Sequence, residues 1–355
     1  MKKQKCIKIV QPAVPEYRLP FYEYLNDLIS INLEIYHAKK DFLGVESKNS
    51  KFSKIIGDFV KIGPFYWHKG LKNINLSNND ILVLPGNPRV INYMVLLFYC
   101  KLVGIKVIWW GQGWTAGSYG LSASIRRNLM MLADAVAVYT EDESTDIQHS
   151  NVIGLNNGLE INKYCNNVDP SELSNITLSL LFIGRLTEKA ELEFLLRTLS
   201  QVKSVKFHLD VIGDGPLNAP LKEMARDLGL ERCVTWYGAI FDDKKIAQIA
   251  MKNHLFVYPG SVGLSVIHAF NLYLPALVHD DARYHMPEFA AVKPGFNAFT
   301  YKRRDESSLI AVIENIKIED LVGMKSNAHN TILTTFNAKD MAKRFNILLS
   351  KVINA

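Results

Sequence analysis

The chain reads as an α/β protein built from two doubly wound, Rossmann-like halves facing a central cleft. Three observations predict this. Short apolar segments alternate with segments of helical period along nearly the whole chain, the pattern of parallel strands joined by crossover helices. Several of the strands run directly into glycine turns. The alternation is interrupted once, by a polar, aperiodic stretch at 163–175 that contains Pro170, and then restarts, which is how a domain boundary reads. A length of 355 residues agrees, because it exceeds the size at which a single core stops growing.

In the first half, Cys6-Ile-Lys-Ile-Val-Gln is a strand, Pro12 and Pro15 break it, and a helix opens at Tyr17-Arg-Leu-Pro-Phe. Asn32-Leu-Glu-Ile-Tyr-His is the next strand. A polar, lysine-rich stretch with no assigned element follows. Asp80-Ile-Leu-Val-Leu-Pro leads to a turn at Gly86, 90–104 is a long apolar helix, and Lys106-Val-Ile-Trp-Trp leads to a second turn at Gly111 and Gly113. Strands at 135–139 and 152–155 continue the pattern. In the second half the strands fall at 178–183, 206–212, 234–237, 255–258 and 276–279, with helices over 191–202, 218–228, 242–252 and from Gly263 onward. An amphipathic helix at 338–352 ends the chain.

Composition narrows the class of protein. Cys6, Cys100, Cys165 and Cys233 are widely spaced, form no metal or redox pair, and suit free thiols in a reducing compartment. The basic N-terminus precedes only a short apolar run before Gln11 and Pro12, too short for a signal-peptide core. The most apolar window, 93–110, is interrupted by Lys101 and Lys106, so no spanning segment is expected. The expected location is cytoplasmic, with no nucleic-acid partner. The net charge of +6 is uneven, with eight lysines between Lys39 and Lys72 against Asp41, Glu46 and Asp58. That stretch is either a solvated face or a contact with anionic lipid at the inner face of the membrane.

Ligands of open parallel sheets lie at the carboxyl ends of the strands, so the glycine turns at Gly86, Gly111 with Gly113, Gly184, and Gly213 with Gly215 are candidate ligand contacts. The segment Tyr258-Pro-Gly-Ser-Val-Gly-Leu-Ser joins a strand to a helix. Its amides at a helix N-terminus suit a phosphate. No P-loop motif occurs. The nine histidines show no paired metal spacing, so no metal is expected, and Asp280-Asp281 reads as a cap more readily than as a metal pair.

Four motifs in order carry a resemblance: Phe182-Ile-Gly-Arg-Leu-Thr-Glu-Lys, Val211-Ile-Gly-Asp-Gly-Pro-Leu, Trp236-Tyr-Gly, and Tyr258-Pro-Gly-Ser-Val-Gly-Leu-Ser-Val-Ile-His-Ala. They resemble the family-4 retaining glycosyltransferases of GT-B architecture. In the first half, Tyr17-Arg-Leu-Pro, Trp109-Trp-Gly-Gln-Gly and Asn157-Gly are similar to segments of bacterial members that build surface polysaccharide. The resemblance implies an acceptor-binding domain at 1–168, a nucleotide-sugar-binding domain at 169–335, and a last helix, 336–355, packing back on the first domain. It implies transfer from a nucleotide-diphosphate sugar to a glycan or lipid-linked glycan, with retention, without a metal or prosthetic group, in surface polysaccharide or lipopolysaccharide synthesis.

By motif, Arg185 and Lys189 stabilise the departing diphosphate. The donor is bordered by Gly184, Ala190, Gly213, Asp214, Gly215, Pro216, Tyr237 and Gly238, and is cradled by the turn through Gly260, Ser261, Val262, Gly263, Leu264, Ser265 and His268. Tyr17, Arg18, Gly86, Trp110, Gln112, Gly113, Trp114 and Glu288 are candidate substrate contacts; Trp109 reads as core, whereas Trp110 and Trp114 could stack on an acceptor.

Three departures from the family pattern stand out. Ala190 occupies the usual second-cation position, and restoring Lys there is expected to raise turnover. Gly260 and His268 stand where the family has two glutamates, and His268 is expected either to hydrogen-bond a ribose hydroxyl or to be satisfied by its own helix. Two alternatives remain open at this point: a nucleotide-sugar 2-epimerase on the same fold, and a weakly active sugar-binding subunit of a transferase complex.

Overall fold

In the computed structural model, residues 5–113, 121–166 and 177–354 are described. The chain divides into two compact units, Met1–Glu160 with Asn337–Ala355, and Ile161–Phe336.

Among the described residues, the first unit is built on a seven-stranded parallel sheet of order β3-β2-β1-β6-β7-β8-β9. Its strands are β1 (Cys6–Gln11), β2 (Asn32–His37), β3 (Ser53–Ile55), β6 (Ile81–Pro85), β7 (Lys106–Trp110), β8 (Ala135–Val138) and β9 (Val152–Gly154). The helices are α1 (Leu19–Leu28), α2 (Ile91–Val103), α3 (Leu121–Met130) and α4 (Glu141–Thr145). A separate antiparallel hairpin, β4 (Phe59–Ile62) and β5 (Phe65–His68), lies in the stretch to which the sequence assigned no element. Central strands such as Ile81–Pro85 are buried on every residue, as a sheet covered on both faces requires.

The second unit carries a six-stranded parallel sheet of order β12-β11-β10-β13-β14-β15. Its strands are β10 (Thr177–Ile183), β11 (Lys206–Ile212), β12 (Val234–Gly238), β13 (Leu255–Tyr258), β14 (Ala276–His279) and β15 (Ala298–Tyr301). The helices are α5 (Leu192–Leu199), α6 (Asn218–Asp227), α7 (Asp243–Ala250), α8 (Leu264–Asn271), α9 (Glu306–Asn315) and α10 (Ile318–Thr334). Helix α5 shows why sequence periodicity finds such elements: Leu192, Leu195, Leu196 and Leu199 recur at three- and four-residue steps and all are buried.

The last helix, α11 (Ala338–Asn354), belongs to the first unit. Met341, Phe345, Leu348 and Leu349 share a core with Phe21, Leu25 and Trp110, and the rings of Phe21, Trp110 and Phe345 lie 5.4–5.7 Å apart. Arg344 holds the helix from its other side through Asp340 at 2.7 Å and Glu141 at 3.3 Å. Among the described residues, no helix is long and apolar enough to cross a membrane.

Candidate active site

In the second sheet the first strand in sequence, β10, lies beside the fourth, β13. That is where the strand order reverses, the place at which open α/β sheets bind ligands. Both strands lead into glycine turns, at Gly184 and Gly260.

The turns lock together main chain on main chain. Gly213 has a φ of +150°, and a Cβ there would run into the Gly184 carbonyl oxygen, while its amide donates to the Gly238 carbonyl at 2.8 Å. Gly213 and Gly215 therefore act through their backbone. Asp214 is exposed and spends its carboxylate on its own turn, accepting from the Gly215 amide at 2.7 Å and Asn218 at 2.8 Å; these bonds hold its acidity below the usual carboxylate value. Pro216 is exposed beside it. Tyr237, 40% exposed, and Gly238 end strand β12.

Gly260 is buried, and a Cβ there would run into the Lys189 carbonyl oxygen. The short turn Glu188–Ala190 thus lies directly on the loop where the family has its first glutamate. A glutamate does not fit this backbone. Ala190 is 1% exposed and sits in the hydrophobic cluster with Leu186, Leu192 and Leu195. This corrects its assignment as a donor contact, and with it the expectation for Ala190→Lys, since a lysine there would begin inside the core. Lys189 and Arg185 both project to the surface, and among the described residues neither is paired with a carboxylate. The turn is fixed behind them by Glu191, a non-glycine residue at φ +51° whose carboxylate meets Arg304 at 2.7 Å and Arg303 at 3.5 Å.

The loop 260–263 is held on its other side by a wall of which sequence reading found only Glu288. His285 accepts the Val262 amide at Nδ1, 3.1 Å, and donates from Nε2 to the His279 carbonyl at 2.9 Å, so its tautomer is set. Its ring stacks between His279 at 3.7 Å and Phe289 at 4.1 Å. Burial drives His285 down to about 3 and His279 to about 4, which keeps both neutral. Val262 is fully buried and its amide is taken, so it leaves the set of phosphate donors. Met286 and the buried Glu288 lie against Gly263, with Glu288 Oε2 3.5 Å from where a Cβ would stand. Glu288 is therefore a carboxylate at the mouth of helix α8. Of this wall the sequence singles out only Glu288, in Met286-Pro-Glu-Phe; the stacked imidazoles of His279 and His285 are brought to the turn by the fold alone.

Leu264, Ser265 and His268 are the partly exposed residues of α8, while Val266, Ile267, Ala269 and Phe270 are buried. Ser261 carries a buried hydroxyl with no partner among the described residues. His268 is half-buried. Burial lowers its pKa, and the carboxylate of Asp243 offsets part of that.

The first unit reverses its strand order between β1 and β6, and most of its candidates turn inward. Trp110 is 5% exposed and packs against Phe21 and Phe345, so it offers no stacking surface. Arg18 is 8% exposed, with its guanidinium 5.6 Å from the Trp110 ring and 3.0 Å from the Met341 sulfur. Both correct the expectation of direct acceptor contacts. Gly86 is required by packing, since a Cβ would strike the Trp109 indole. The Gly113 amide is held by the buried Glu143 at 2.6 Å. Tyr17 is 42% exposed and Gln112 half-buried; these two keep surface to offer. Trp114 lies outside the described residues. Among those residues, no group of three His, Cys, Asp or Glu side chains could hold a metal ion, and Asp281 caps the 282–284 turn.

Two parallel Rossmann-like sheets of this order are the GT-B architecture of sugar-transferring enzymes. Residues 171–349, just over half of the chain, match the family model of glycosyl transferases group 1, and the chain belongs to that family. It is a glycosyltransferase. No curated protein sequence matches it. Among solved structures it resembles the lipopolysaccharide outer core galactosyltransferase WaaB, at 16% identity and TM-score 0.71, covering 98% of this chain and 99% of that one. It also resembles sucrose-phosphate synthase of Thermosynechococcus elongatus, at 15% identity and TM-score 0.73, covering 99% and 100%. Anabaena HepE in complex with UDP gives 14% identity and TM-score 0.69, covering 98% and 100%. At these identities the likeness is one of fold.

Proposed function

We propose that the second unit binds a nucleotide-diphosphate sugar and that the first binds a glycan or lipid-linked glycan, to which the sugar is transferred with retention and without a metal, in the synthesis of surface polysaccharide or lipopolysaccharide at the inner face of the membrane. The observation that carries this reading is the pair Arg185 and Lys189, two exposed cations with no carboxylate partner among the described residues, on the interlocked turns at the reversal point of the second sheet.

Departure of the nucleoside diphosphate builds negative charge on a phosphate oxygen. Fixed cations stabilise that charge more in the transition state than in the ground state. Arg185 clamps the phosphate through its planar fork, Lys189 adds a second charge, and the turn through Gly260, Ser261, Gly263 and Ser265 presents main chain to it. Glu288 supplies the carboxylate that Gly260 lacks, from the opposite wall of the loop, toward the hydroxyls of the donor sugar. Tyr237 and Gly238 border the base, Asp214 and Pro216 shape the turn beneath it, and Leu264 with His268 face the ribose. Tyr17 and Gln112 meet the acceptor. Anabaena HepE, a structural relative, holds UDP and UDP-glucose, which supports a uridine nucleotide as the first donor to try.

A thermal-shift screen of nucleoside diphosphates and nucleotide sugars tests the reading. One base and one sugar are expected to raise the melting temperature above the rest, and a chain indifferent to every nucleotide would refute the donor site.

A further inference from the structure

The hairpin β4–β5 carries an outward face that nothing among the described residues covers. Its register pairs Val60 with Trp67 and Ile62 with Phe65, so these four side chains share one face, and all are 37–49% exposed. The opposite face is the anchored one: Phe59 stacks on His68 at 4.2 Å and Tyr66 on Phe42 at 4.4 Å.

Helix α2 continues the surface. Val95, Phe98, Tyr99 and Leu102 follow the i, i+3, i+4, i+7 pattern of a buried stripe, yet they are 49–86% exposed. The two elements are joined by Asn92, whose side chain accepts from the His68 amide at 3.1 Å and donates to the His68 carbonyl at 2.7 Å. Asn92 lies on the same helical stripe as Val95, Tyr99 and Leu102, so the hairpin sits at the head of that stripe.

The charge around this surface is mostly positive, with Asp58 at the head of β4 and Asp41 beside Phe42 as the carboxylates at its edge. From Phe59 to Lys106 the sequence holds a single carboxylate, Asp80, which is buried and paired with Lys8 at 2.7 Å. Lys61, Lys69, Lys72, Arg89 and Lys101 are all exposed. Apolar side chains, a tryptophan and a tyrosine within a cationic rim are the composition of a surface that rests in a lipid interface. A second copy of the chain fits worse, because symmetric pairing would set like charges against each other.

We propose that the outer face of hairpin β4–β5 and the stripe of α2 seat the first unit on an anionic membrane surface. This deepens the reading of a lipid-linked acceptor and rests on it only for its purpose; the test needs neither donor nor acceptor. The full chain is sedimented with vesicles of phosphatidylglycerol and phosphatidylcholine and with phosphatidylcholine alone, at low and high salt, and its tryptophan fluorescence is read with brominated lipids. Binding to the anionic vesicles is expected, weakened by salt, with quenching that disappears in Trp67→Phe. Ile62→Ser with Leu102→Ser is expected to cost about tenfold or more in vesicle affinity with an unchanged melting temperature and an unchanged nucleotide shift.

Equal binding by the double variant, or no binding by the parent chain, overturns the proposal. So does a parent dimer that the double variant dissolves without any vesicle binding, which would assign the face to a second copy. A vesicle failure beside an intact nucleotide shift leaves the donor reading standing, and the converse leaves the membrane face standing.

Discussion

Each unit places an arginine after its first strand, and the two meet opposite fates. Arg185 follows β10 by two residues and stands at the surface. Arg18 follows β1 by seven and is buried over Trp110 against Met341. The strand orders around them reverse at the same point, so topology alone does not decide what a strand-end cation does. The second unit keeps its mouth open by packing turn on turn through glycine. The first closes part of its own with the aromatic side chains of Trp109, Trp110 and Phe345.

The sharpest way to break this comparison is to truncate both arginines. Arg185→Ala is expected to cost about 10²–10³ in kcat, roughly 3–4 kcal/mol of transition-state stabilisation, with the melting temperature unchanged. Arg18→Ala is expected to act the other way round, losing about 1–3 kcal/mol of stability through packing under α11 and affecting turnover only through folding. Steady-state kinetics and thermal melts on both variants check it. A stable Arg18→Ala chain with lost activity would return Arg18 to the acceptor site.

Next in size is the loop at Gly260. Because the Lys189 main chain occupies the space of any side chain there, Gly260→Glu is expected to destabilise the second unit by about 1–3 kcal/mol and to weaken nucleotide binding. Ala190→Lys forces an ammonium group out of a hydrophobic cluster and is expected to do the same. The informative experiment is the double variant. If Gly260→Glu and Ala190→Lys together gain turnover that neither gains alone, the turn can move away, and the interlock described for this unit is one of two arrangements.

Much of the fold was legible because apolar strands and helical period are local properties. The 178–183 strand ending in Gly-Arg and the Gly-Asp-Gly-Pro turn appear in the structure where the sequence places them. The hairpin at 59–68 was not legible, since Phe59, Tyr66 and His68 make its second face aromatic too and blur the alternation of Val60, Ile62, Phe65 and Trp67. In the candidate site, motif spacing singles out Arg185 and Lys189 but says nothing of direction or depth. It could not show that Trp110 turns inward, that Ala190 is core, or that His285 reaches 23 residues back to Val262. Those facts depend on tertiary packing, which no periodicity encodes.

The smallest expected effect separates binding from packing at His268. If its imidazole bonds a ribose hydroxyl, His268→Ala should weaken nucleoside diphosphate binding about fivefold, the worth of one net hydrogen bond near 1 kcal/mol, and calorimetry reads it directly. Unchanged affinity would return His268 to the packing of its own helix. Acid titration adds an independent check. Burial is the main cause holding His268 below its ordinary value of 6.5, with His279 near 4 and His285 near 3. The unfolded chain takes up protons at about 6.5 that the folded chain refuses, so the stability these groups contribute is full above that pH and is lost as pH falls toward the folded values. His268→Ala should remove only a small part of that slope, because the stacked pair His279 and His285 remains. If the variant flattened the slope entirely, His268 would be the group whose neutrality the donor loop depends on, and the imidazole wall behind Val262 would be packing alone.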